Sequence, residues 1–215
     1  MNKILFIDTL TTGLNPERCA ISRIGGVLCK DGPCSMEEAV RFDIVARPFE
    51  GARIVDSSLW VGGMTRSRLI YFPEQRQAFR DFMSIVQQNI DIRDPKDKIY
   101  IAGFNASSFD VPFIRGWFTR NDNTRFRDCF HVQTLDIMSL AAIALMNERR
   151  TMPDFHLETA AKFLGVTPVK RESYSCLDNA MTCVAMYRVL KQRLAVGEDK
   201  EYKSTDRLIV NHKIS

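Results

Sequence analysis

The sequence is poor in histidine and has no paired-cysteine signature. Its three histidines (His131, His156 and His212) are scattered over 215 residues. Its six cysteines (Cys19, Cys29, Cys34, Cys129, Cys176 and Cys183) contain no CxxC pair and no Cys/His run at zinc-ligand spacing. A structural zinc site is therefore not expected, and buried or half-buried thiols in a reducing compartment are. Cys29 and Cys34 flank the turn Lys30-Asp31-Gly32-Pro33 but are expected to stay unpaired. No window approaches the ~18 consecutive apolar residues of a membrane span. The opening MNKILFIDTL carries only a short apolar run and no small-residue cleavage site, so it reads as a first strand and not a signal peptide. A cytoplasmic protein with no membrane partner is expected. Apolar residues at 45% and charged residues at 26% are those of a globular chain, which argues against disorder. The net charge of +4 permits a nucleic-acid partner without demanding one.

Periodicity organises most of the chain. KILFIDT (3–9) is a short apolar run suited to a buried strand, and AISRIGGVLCK (20–30) and RFDIVARP (41–48) extend it as a meander. After Phe72-Pro73, residues Phe79, Phe82, Met83, Val86 and Ile90 recur at helical spacing. KIYIAG (98–103) is a fourth strand, and helical patterns follow at 107–120, 134–147, 156–164 and 176–193. Strands followed by alternating strand and helix give an α/β domain with a mixed sheet over 1–194, with 195–215 as a polar C-terminal tail.

Three strings carry acidic or amide residues at element ends. FIDTLTTGL puts Asp8 at the end of the first strand, where α/β sheets collect ligands. IAGFNASSFDVPFI has Asn105, Phe109 and Asp110 between the fourth strand and a helix that Ser107 or Ser108 would cap. ESYSCLDNAMTCVAMYRVL has Tyr174, Asp178 and Asn179 at the start of a helix opening at about Cys176.

In this order the strings resemble the three motifs of the DnaQ-like (DEDD) 3′→5′ exonucleases. FIDTLTTGL is similar to the first motif, usually DxETTGL. GFNASSFDVPFI is similar to the second, and SCLDNA to the third, whose commonest form is His-x-Ala-Leu-x-Asp-Ala. Between them SSLWVGGMT resembles the loop that contacts the terminal nucleotide, and LDIMSLAAIAL and MPDFHLETAAKFLGV resemble the linking stretches. The resemblance runs from Lys3 to Leu194. It implies an RNase H-like fold, a mixed five-stranded sheet flanked by helices. It also implies two-metal hydrolysis, in which four carboxylates hold two Mg²⁺ ions about 3.5–4 Å apart and a His or Tyr orients the attacking water.

The motifs depart from the family at three positions. Leu10 stands where the family places a glutamate whose side chain shares a strand face with Asp8. Aligned on Leu177 and Ala180, Asn179 takes the place of the catalytic aspartate and Tyr174 that of the histidine. A second register uses the sister branch's Tyr-x-x-x-Asp, with Tyr174 and Asp178 four apart on one helix face. Asp8, Asp110 and Asp178 would then be the metal ligands, for Mg²⁺ or Mn²⁺ if any is bound. By resemblance the substrate groove comprises Thr11, Leu14, Met64, Thr65, Asn105 and Phe109, with Leu14 and Met64 wedged against the terminal base, and Gly62 replacing the usual Asn or His. Arg115, Arg120, Arg125, Arg127 and Lys170-Arg171 read as a solvated charged face. Trp60 and Trp117 read as core or rim residues.

Three functions follow as expectations. The first is a degenerate exonuclease that binds a single-stranded DNA or RNA 3′ end, or a nucleotide, with hydrolysis weak or lost. The second is an active metal-dependent 3′→5′ exonuclease using Asp8, Asp110, Tyr174 and Asp178. The third is a module that binds a protein partner through the exonuclease scaffold.

Overall fold

Lys3–Thr11 alternates apolar side chains to both faces and forms β1, the middle of the sheet. It was placed by a computed structural model that describes residues 2–30, 39–169 and 174–198. Ile21–Lys30 (β2) and Val40–Val45 (β3) follow antiparallel, as the meander required. Ile99–Gly103 (β4) and the two-residue Leu135–Asp136 (β5) add on the other side in parallel. The order β3-β2-β1-β4-β5 is a mixed five-stranded sheet, and with helices on both faces it is the α/β RNase H-like architecture.

Two cores line its faces. On one, Gln75–Gln87 (α3) and Asp110–Arg120 (α4) bury Phe79, Phe82, Phe113, Trp117 and Phe118 against Leu5, Ile7 and Ile24. On the other, Ile137–Ala144 (α6), Leu157–Phe163 (α7) and Cys176–Glu198 (α8) bury Ile137, Ala160, Ala180 and Val184 against Ile4, Phe6 and Val27. Strand alternation sorts the two sets: Leu5 and Ile7 turn to one core, Ile4 and Phe6 to the other. Short helices Asp56–Val61 (α1), Arg66–Leu69 (α2) and Phe126–Cys129 (α5) complete the chain.

Local expectations need correction at four places. The segment expected as helix from 134 begins with β5, and Asp136 then caps α6 by accepting from the backbone N–H groups of Met138 and Ser139. The helix expected from 107 begins at Asp110, because residues 104–109 form a turn with Asn105 at φ 65°. Neither Ser107 nor Ser108 caps it, and the Ser107 hydroxyl donates to Asp136 at 2.6 Å instead. The strand expected to reach Pro48 ends at Val45. The backbone of α8 runs to Glu198, past residue 193 where the helical pattern was expected to end. The Asp31-Gly32-Pro33 turn, Cys34, Lys170-Arg171 and the tail from 199 lie outside the described residues. Among the described residues no helix is long and apolar enough to cross a membrane.

Candidate nucleic-acid site

Asp8 lies opposite Gly25 in the β1–β2 register. The start of α8 rests on that glycine: a Cβ at position 25 would overlap the Leu177 amide nitrogen and Cys176. This close approach brings Tyr174 and Asn179 onto Asp8. A carboxylate only accepts, so the Tyr174 hydroxyl donates to Asp8 Oδ2 at 2.8 Å and the Asn179 amide donates to the same oxygen at 3.2 Å. The Asn179 Nδ2 also lies 3.0 Å from Tyr174 Oη, closing a three-residue network. Burial pushes the Asp8 carboxyl up to about 6, against the opposing pull of Tyr174, Asn179 and Cys176. Burial likewise raises the Tyr174 phenol, helped by the Asp8 charge, so the phenol stays a donor at neutral pH.

Asp110 opens α4 beside this network. It is buried, and its Oδ1 accepts from the Thr9 hydroxyl at 2.6 Å. Burial first and the charge of Asp8 second hold its carboxyl well above the usual carboxylate range.

Leu10 closes the other side. It is only 5% exposed and packs in a cluster with Leu59, Met64, Leu69 and Cys176, bordered by Tyr174. Gly62 is the complement of this side chain: a Cβ there would penetrate the Leu10 Cδ1 methyl. The two departures at positions 10 and 62 are thus one packing solution, visible only once the loop is folded over the strand.

Asp178 lies one residue, about 100°, around the helix from Asn179. It is buried, and its charge acts on the Arg23 guanidinium. The structure therefore gathers Asp8, Asp110, Tyr174 and Asn179, with Tyr174 preceding the helix and not within it. Among the described residues no group of three or more His, Cys, Asp or Glu side chains is arranged to hold a metal ion.

The expected groove residues divide by exposure. Leu14 is 80% exposed, and Thr65 and Asn105 are exposed, with Phe109 half-buried against Phe113. Thr11 and Met64 are buried, Thr11 donating to the Gly13 carbonyl and Met64 packing in the cluster around Leu10. Trp117 is core, whereas Trp60 is 72% exposed, and Val61, Ile70 and Tyr71 are exposed as well. The arginines after the second motif do not form one face: Arg115 stacks on Phe126 and Arg120 on Phe49. His131 stacks on Tyr100 and His156 sits by Asp154. Cys19, Cys129, Cys176 and Cys183 are free thiols. Asp136 escaped the sequence reading although it matters: it ties Asn105 and Ser107 to α6. An Asp directly before the apolar run IMSLAAIA was the available signal.

Solved structures to which this chain is similar include those of E. coli exonuclease I. A complex with a dT13 oligonucleotide matches 93% of this chain and 43% of that one at TM-score 0.71 and 18% identity. A complex titled ExoI/SSB-Ct matches 91% and 42% at TM-score 0.69 and 18% identity. A zinc-ion-bound ExoI–ssDNA complex matches 91% and 41% at TM-score 0.69 and 17% identity. The fold is thus that of the DnaQ-like exonucleases. The chain spans less than half the length of the exonuclease I chains it matches. No family model and no curated protein matches it.

Proposed function

We propose that this chain binds the 3′ end of single-stranded nucleic acid on a DnaQ-like exonuclease scaffold, with hydrolysis weak or lost. The observation that carries the reading is the pair of donors on Asp8 beside the wall made by Leu10. Two-metal hydrolysis needs carboxylate oxygens around both ions. Here the position two residues after Asp8 is a packed leucine, and Asp8 Oδ2 already accepts from a phenol and an amide. Hydrogen-bond donors thus stand where a cation would need acceptors, and these residues do not fit a Mg²⁺ or Mn²⁺ pair.

Binding needs none of that chemistry. Leu14 and Phe109 offer apolar surface to a terminal base, and base–side-chain stacking is worth about 1–3 kcal/mol per base in single-strand sites. Single-stranded DNA is the first candidate ligand, since exonuclease I is seen with it, and free thiols fit a reducing, cytoplasmic setting. The test is fluorescence anisotropy with labelled DNA and RNA strands carrying a free 3′-hydroxyl, in EDTA and in Mg²⁺. Equal binding in both, lost when the 3′ end is blocked by a bulky group, is expected; binding that requires the metal would contradict the reading.

A protein-interaction role is favoured by one feature, the exposed Trp60 and Val61 at the end of α1 and Ile70 and Tyr71 just after α2. Replacing Trp60 and Tyr71 by serine would abolish a protein contact while leaving the Asp8 network intact.

A further inference from the structure

The loop after β1 and the segment before α1 are laced together. Asn15 holds the turn through its side-chain oxygen, which accepts from the Glu17 and Arg18 amides at 2.8 and 3.1 Å. The Arg53 amide donates to the Arg18 carbonyl at 2.8 Å, and the Thr12 hydroxyl donates to the Arg53 carbonyl at 2.7 Å. Two exposed arginines are thereby fixed as backbone neighbours, next to Thr12 and close in sequence to the exposed Leu14.

A third arginine arrives from α4. Gly116 leaves room for the Pro16 carbonyl, and Arg120, one turn on, donates from Nη1 to that carbonyl at 3.0 Å. Its guanidinium lies 4.6 Å over the Phe49 ring, and its Nε is buried without a hydrogen-bond partner. Stacking and one carbonyl hold this cation in place without neutralising it. Among the described residues no ion pair involves Arg18, Arg53 or Arg120. Glu17, next to Arg18, and Glu50, near Arg53, are exposed and form none, while Asp56 pairs with Arg66 and Asp122, near Arg120, pairs with Arg76. Asp110 and Arg120 are the two ends of α4, about 15 Å apart at 1.5 Å per residue. At about 3.4 Å per stacked nucleotide this is about four nucleotides.

We infer that Arg18, Arg53 and Arg120 form a phosphate-binding rim that holds the backbone of a single strand a few nucleotides upstream of its 3′ end. The inference rests on the strand-end reading above and adds where the rest of the strand runs. Unneutralised guanidinium groups, Arg120 held by its side chain and Arg18 and Arg53 carried on a linked backbone, recognise phosphates by charge and by forked N–H donors, without reading sequence.

The experiment compares a single-stranded 12-mer with a nucleoside 5′-monophosphate, titrated at several salt concentrations into the parent chain and into Arg18→Gln/Arg53→Gln. Each phosphate contact in a single strand contributes about 0.7 to the slope of log affinity against log salt. The double variant is therefore expected to lower the 12-mer slope by about 1.4 and to leave the monophosphate affinity unchanged. Adding Arg120→Gln lowers the slope by about a further 0.7, with a melting curve to show that the loop is still folded. An unchanged 12-mer slope, or an equal loss for the monophosphate, overturns the rim while leaving strand-end binding standing. A parent chain that binds neither probe overturns both.

Discussion

Leu10→Glu puts back the carboxyl that a metal site would use, and the packing says that the chain will resist it. Leu10 is 5% exposed among Leu59, Met64, Leu69 and Cys176, with Gly62 contoured to its methyl groups. Removing the leucine from that cluster forfeits about 1.5–3 kcal/mol of burial. A carboxyl in its place finds apolar walls and a neighbouring Asp8 whose own carboxyl is already pushed up to about 6, so it stays protonated and poorly paired, at about 1–3 kcal/mol more. The loss of about 2.5–6 kcal/mol is a large part of an ordinary domain's stability of about 5–15 kcal/mol. At about 2–4 °C per kcal/mol for a chain of this size, the melting midpoint falls by roughly 5–24 °C. Thermal unfolding by circular dichroism at pH 7 in EDTA measures it, with Leu10→Met as the volume-conserving control, expected to cost under about 1.5 kcal/mol. A Leu10→Glu variant melting within about 2 °C of the parent would refute the apolar-wall reasoning.

Gly62→Ala in the parent forces the new methyl into Leu10 and costs about 1–3 kcal/mol, whereas in a Leu10→Ala background it fills vacated space; denaturant unfolding of the four-member cycle would detect this coupling, and strictly additive effects would count against it. Because the folded Asp8 carboxyl is raised to about 6 from an ordinary 3.8, its contribution to stability is whole below about 3.8 and is lost as pH rises through about 6. That loss is on the order of 3 kcal/mol, and Asp8→Asn should flatten the decline in melting midpoint between pH 4 and pH 7. Tyr174→Phe removes a hydroxyl that donates to Asp8 at 2.8 Å, so it should cost about 1.5–3 kcal/mol at pH 8 and distinctly less at pH 4; a cost that is the same at both would show that the hydroxyl does not favour the charged carboxylate.

The long elements were legible because their periods are strong. The alternation in β1 and β2 and the Phe79, Phe82, Met83, Val86 spacing of α3 appear where patterning put them. The four-residue α2 and α5 and the two-residue β5 are too short to carry a period, so tertiary packing alone defines them. At the site, Asp8, Asp110, Tyr174 and Asn179 stood out only through resemblance to a known motif order, since more than 100 residues separate the first two in sequence. The union of Leu10 with Gly62, and of Arg120 with the Arg18–Arg53 pair, is long-range packing that no local pattern encodes. The helix expected over 134–147 starts late for a related reason: Leu135 and Asp136 are claimed by the β4 edge before Asp136 can cap α6.

The central proposal is that the scaffold keeps a strand end, with hydrolysis weak or lost. The most direct measurement follows a 5′-labelled single strand, incubated with the chain in Mg²⁺ and in Mn²⁺, by its length on a denaturing gel. The account predicts a strand that is bound, by mobility shift in the same samples run native, and recovered at full length. A ladder shortening from the 3′ end, abolished by Asp8→Ala, would contradict it and assign hydrolysis to a site in which Leu10 is no obstacle.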